Sequence, residues 1–256
     1  MRLLAAAFLL FQTPAAQPAR LELRAGLDTL YSGQFATAAA HFERLAARDT
    51  TDPAPLIFQA GAYIWWASAK DSADFERARI DSLLARAIDR AKVIGAPADF
   101  WRATALGYRA RERDLHGQSW GAAKDGKAMR DIYRRLLAAD SSCVDCYLGL
   151  GVYHYGLARA STLARFFAKI IGLGSGNAET GIRYMRRVAH EGDLAQVEAT
   201  WVLAAALVRE AARDEKGRVV LEQEARGYVQ RLADRYPANP VFQRFLREVP
   251  ASPTSQ

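Results

Sequence analysis

The sequence predicts an all-α protein. Ala, Leu, Arg and Glu dominate the chain, and all four are good helix formers. Apolar residues recur three and four apart, as at Leu83, Leu84, Ala87, Ile88 and Ala91, which is the period of one helix face. Alternating runs of β-branched residues, the mark of strands, are missing. Breakers cluster at intervals suited to helix ends, at 49–55, 95–97, 116–117, 140–142, 172–177 and 237–240.

The first element, residues 1–19, reads as a secretory signal peptide. Arg2 precedes an apolar run from Leu3 to Phe11, and small residues with Pro14 and Pro18 follow. The run is about half the ~20 residues a spanning helix needs. Cleavage is expected between Ala15 and Ala19, and the prolines argue against a first helix there. No later stretch is apolar enough to span a bilayer, so an exported protein of the periplasm or outer envelope is expected. Residues 20–248 are expected to form the helical domain, and 249–256 a disordered tail.

The formal charge is +7, from 35 Lys and Arg against 28 Asp and Glu. It falls to +6 without Arg2. The basic residues are spread among acids with no aromatic-interleaved block, which argues against nucleic acid as partner. Mild attraction to an anionic membrane surface remains.

The helical domain carries a repeat. In RAGLDTLYSGQFATAAAHFERLAARD, Gly26 lies in one helix, Gly33 and Phe35 mark a turn, and Ala38 and Phe42 lie in a second helix. Gly61 follows 35 residues after Gly26. Gly107 and Gly151 are later small positions, with Tyr147 and Leu150 beside the latter, and Trp201 with Ala205 opens a last unit that closes at YPANP, 236–240. This pattern resembles the tetratricopeptide repeat (TPR), and the whole chain resembles a divergent exported bacterial group of that family. The resemblance implies a right-handed α-solenoid of about five antiparallel helix pairs, in which stacked pairs share one core. It also implies a concave groove that holds a partner protein or peptide. The helix from Pro240 to about Glu248 is the expected C-terminal cap.

Four features invite a chemical reading. Cys143 and Cys146 are the only cysteines. A thioredoxin-like C-x-x-C needs a strand leading into a helix, and none is predicted. Covalent haem attachment needs His after the second Cys, where Tyr147 stands. The nearest imidazole, His154, is about 12 Å along a helix from Cys146, so one metal ion cannot readily reach both. A local disulfide at a helix start fits the i, i+3 spacing and an oxidising compartment, and two reduced, partly buried thiols are the alternative.

The segment Ser161–Gly174 is extra to a simple repeat. It is expected as a short amphipathic insertion, with Leu163, Phe166, Phe167, Ile170 and Ile171 on one side and Arg165 and Lys169 on another. Such a helix can dock as core or lie in a membrane interface, so Leu163, Phe166, Phe167 and Ile170 are candidate membrane contacts, and a peripheral, lipid-associated protein is the second functional expectation. The Gly-rich stretch 172–181 lacks the Lys and Ser or Thr of a phosphate loop, and Asn177 as a helix cap explains it more simply.

Aromatic residues at inner helix positions, with nearby arginines, define the expected partner groove: Tyr63, Trp66, Arg109, Arg113, His154, Tyr155 and Arg159. Tyr153, His154 and Tyr155 cannot all face one core, so part of this run is expected to line the groove. No nucleophile stands beside a base, and no carboxylate pair lies outside helix-surface spacing. The expectation is a non-catalytic binding module with no cofactor and no metal.

Overall fold

The computed structural model describes residues 16–161 and 172–249. Among them are eleven α-helices and no strand. The helices are α1 (Ala16–Tyr31), α2 (Phe35–Arg48), α3 (Ala54–Lys70), α4 (Arg77–Ile94), α5 (Asp99–Leu115), α6 (Ser119–Ala139), α7 (Cys146–Arg159), α8 (Ala178–Glu191), α9 (Gln196–Ala211), α10 (Arg218–Arg235) and α11 (Pro240–Glu248). A 3-10 turn at Ala96–Ala98 precedes α5. The expected leader up to residue 15, the candidate membrane contacts Leu163, Phe166, Phe167 and Ile170, and the chain from residue 250 lie outside the described residues.

Local sequence explains most helix ends. Asn177 accepts from the Thr180 N–H at 2.7 Å and starts α8, as its position suggested. Asn239 accepts from the Val241 N–H at 3.0 Å, and Pro240 begins α11, where its missing N–H has no intrahelical partner. Helix α1 begins at Ala16, inside the expected leader, with Pro18 in its first turn, a place that tolerates proline. Turns at 71–76, 192–195 and 212–217 add to those marked by the breaker clusters. The first is unmarked by Gly or Pro because Asp71 and Glu76 themselves adopt left-handed backbone, at φ 53° and 55°.

Consecutive helices pack as neighbours, and small residues set how closely. A methyl group on Gly26 would lie 2.5 Å from the Phe42 ring, joining α1 to α2. One on Gly107 would meet Met129 Sδ at 2.9 Å, joining α5 to α6. Helices α7 and α8 touch backbone to backbone, since a Cβ on Gly181 would fall 2.7 Å from Gly151 O and from Tyr155 N. Gly61 differs, with only Tyr108 Oη within 4 Å, at 3.9 Å.

The odd-numbered helices α3, α5, α7 and α9 also touch one another, and neighbours among them run the same way. The turn after α3 meets the end of α5 through Asp74 and His116, 3.4 Å apart. Tyr133 on α6 bonds Thr104 at 2.8 Å and packs on Gly149, which sets α5 level with α7. Tyr155 Oη donates to Ala206 O at 3.1 Å, and Arg159 pairs with Glu210, which sets α7 level with α9.

A linear stack of helix pairs would keep its first and last pairs apart. Here they meet. Asn239, fully buried, donates to Tyr31 O at 2.9 Å. Tyr236 Oη donates to Asp28 at 2.7 Å. Arg244 on α11 donates to Ser68 O at 2.6 Å. Trp65 packs edge-on to Phe242 with centroids 5.6 Å apart. The C-terminal cap therefore seals α1 and α3 as well as α10, and the core is continuous through that contact.

Candidate functional site

The residues expected to share one groove occupy four separate places. On α3, Tyr63 and Trp66 stack with rings 6.3 Å apart at 12°. Tyr63 is buried and its hydroxyl accepts from Arg79 at 2.9 Å. Trp66 is half-buried, and Phe75 in the following turn lies 5.0 Å from it. Lys70 Nζ stands 5.8 Å from the Trp66 ring and 5.1 Å from the Phe75 ring. The four side chains make a partly open aromatic platform with a cation at its edge.

The arginines take partners within the chain. Arg109 forms a two-pronged pair with Asp125, at 2.7 and 2.8 Å, and Arg113 reaches the same carboxylate at 2.6 Å. Arg159 pairs with Glu210, which holds that carboxyl below the usual range. Tyr155, buried against α9, also donates to Glu210 at 3.0 Å, and burial followed by this carboxylate pushes the phenol up to about 12. Residues on neighbouring helices thus supply these arginines with carboxylates.

The run Tyr153, His154, Tyr155 buries both tyrosines. They lie about 200° apart around α7, and α7 is covered on both sides, by α6 and by α9. Tyr153 donates to Leu173 O at 2.5 Å and accepts from Arg130 at 3.0 Å. His154 is half-buried beside Tyr153 and Tyr184, and burial, then Arg134 and Arg130, lowers its pKa. Among the described residues its Nδ1, a buried nitrogen, meets no hydrogen-bond partner.

Two clusters lie outside the expected set. Glu198 at the start of α9 accepts from Trp65 Nε1 at 2.9 Å, where α3, α5 and α9 converge. Trp201 stands 5.7 Å from Trp65, and Tyr31 stands 5.5 Å from it. Burial raises the Glu198 pKa against the pull of Trp65 and Arg111, and the carboxylate in turn adds to the upward push that burial gives Tyr31 and Tyr108. An acid beside the apolar positions Val197, Trp201 and Leu203 was the available signal for it.

The second cluster surrounds the cysteines. They form a disulfide with Cα atoms 5.4 Å apart, and Cys146 is fully buried. Between them, Asp145 accepts from the backbone N–H groups of Asp193, Leu194 and Ala195 at 2.8, 3.0 and 3.4 Å. It covers the turn that leads into α9, a helix whose own N-cap, Ala195, has no side-chain acceptor. Burial raises the Asp145 pKa, opposed by these donors. The disulfide thus fixes a carboxylate that joins α7 to the α8–α9 turn.

Among the described residues, no three His, Cys, Asp or Glu side chains converge as metal ligands, and no helix is long and apolar enough to cross a membrane. No protein-family model matches the chain, and no curated protein matches it.

Proposed function

We propose that the chain is a non-catalytic binding module of tetratricopeptide-repeat design, exported to the cell envelope, which holds a partner protein or peptide. One observation carries this reading. Of the residues expected to meet a partner, the stack of Tyr63 and Trp66, extended by Phe75 and Lys70, leaves aromatic surface partly open. Rigid Trp and Tyr rings beside a cation are the groups that dominate protein interfaces when a partner covers them. Helix pairs joined at Gly26, Gly107 and Gly151 support the repeat design. The binding face in this reading is the α3–α4 turn, because the inner surface is occupied by Trp65, Trp201 and Phe242.

The test is affinity capture of the mature protein from an envelope extract. A partner recovered saturably by the wild type, and at least about tenfold less by Trp66→Ala at equal folded protein, supports the reading. Recovery of nothing saturable, or equal recovery by both proteins, overturns it.

A further inference from the structure

The hairpin of α5 and α6 holds more positive charge than its own structure uses. Residues 99–139 contain nine Lys or Arg against five Asp or Glu, a surplus of four in a chain whose total is +7. Three carboxylates along the hairpin each serve two cations. Asp99 lies 3.6 Å from Arg102 and 3.3 Å from Arg135. Asp125 serves Arg109 and Arg113. Asp131 lies 3.4 Å from Lys127 and 2.6 Å from Arg130. Each group keeps about one unneutralised charge, and Lys124 adds another, its Nζ 5.1 Å from the Trp120 ring.

The surplus charge faces open grooves. One, of about 540 Å³, is lined by Arg113, Ser119, Trp120, Gly121 and Lys124 at the turn of the hairpin. The other, of about 490 Å³, is lined by Arg102, Lys124, Lys127 and Arg135. Lys124 borders both. The first also receives the start of α6, whose N-cap Gln118 makes no side-chain bond to its N–H groups. That helix end adds partial positive charge.

Apolar surface stands at the same tip. Leu115 is 51% exposed and Trp120 is 40% exposed, on either side of Gly117. Exposed Trp and Leu ahead of a row of cations form the pattern that meets an anionic bilayer, with indole at the headgroup level and Lys or Arg near phosphate. A free phosphate would use the cations and leave Leu115 and Trp120 without a role.

We propose that the α5–α6 tip docks this protein on an anionic phospholipid surface, with Leu115 and Trp120 entering the headgroup region and Lys124 and Lys127 facing lipid phosphates. This contact rests on no residue of the 161–174 segment and does not depend on the partner reading, because lipid alone tests it.

The experiment is co-sedimentation of the mature chain with vesicles of phosphatidylcholine alone and of phosphatidylcholine with about 30% phosphatidylglycerol. Binding is expected only to the second, and raising NaCl from ~0.05 to ~0.5 M should release it. Trp120→Ala with Leu115→Ala, and separately Lys124→Ala with Lys127→Ala, should each weaken binding by about tenfold or more, while Phe166→Asp leaves it unchanged. Leu115, Trp120 and Lys124 are exposed and Lys127 is half-exposed, and a thermal melt matching the wild type certifies each folded variant. Equal binding to both vesicles, binding abolished by Phe166→Asp but untouched by the tip variants, or capture of poly-glutamate without any capture of vesicles would each overturn the proposal.

Discussion

Trp65 Nε1 donates to Glu198 Oε2 at 2.9 Å, across 133 residues of chain. This bond ties α3 to α9. Around it, the rings of Tyr31, Trp201 and Phe242 pack on Trp65 at 5.5–5.7 Å.

The Glu198 carboxyl gives the first prediction. Burial raises its pKa in the folded protein above the unfolded value of about 4.3. Its contribution to stability is therefore fully present below the unfolded value and is lost as pH rises through the folded value. Glu198→Gln keeps an oxygen for the Trp65 indole and removes the charge. Thermal melts should show the variant more stable than wild type at pH 7, with the gap closing towards pH 4. A variant less stable at pH 7 would show that the charged bond to Trp65 outweighs burial.

Helix approach gives the second. At Gly181 an added methyl would meet the backbone of Gly151 and Tyr155, which cannot move aside. Gly181→Ala should cost about 1–3 kcal/mol. Gly107→Ala meets only the flexible end of Met129 and should cost less. Gly61→Ala has open space and should be neutral or stabilising by up to about 1 kcal/mol. Denaturant midpoints of the three variants check the order.

The clasp gives the third. Asp145→Ala strips the acceptor from three N–H groups at the start of α9 and should cost about 1–2 kcal/mol. Replacing both cysteines by serine removes a closed loop of about four residues, for which chain entropy gives about 2 kcal/mol. If the disulfide acts by aiming Asp145, the two losses should be less than additive in a double-mutant cycle. Strict additivity would separate the two roles.

Much of this architecture was legible in the sequence because it is local. The 3.6-residue period marks the helices, and the glycines at 26, 107 and 151 mark where neighbours touch. Asn177 and Pro240 mark helix starts as expected. The rest depends on residues far apart in the chain. Nothing near Asn239 announces that it bonds Tyr31, 208 residues earlier, and nothing in C-V-D-C says that Asp145 reaches the 193–195 turn. The arginines expected to meet a partner have carboxylates within the chain, and for two of them the spacing explains it. Asp125 sits 12 residues after Arg113 and 16 after Arg109, the distance at which two helices of one hairpin face each other.

The proposed partner binds over Trp66 and Phe75, with buried Tyr63 stacked behind Trp66. Site-specific photo-cross-linking in cells tests it most directly, with the reactive residue placed at Ser72 in the adjoining turn or at Ala47 on the exposed face of α2. The account predicts a discrete cross-linked species from position 72, absent from position 47 and lost when Trp66→Ala is added. No species from position 72, or the same species with and without Trp66, would contradict it.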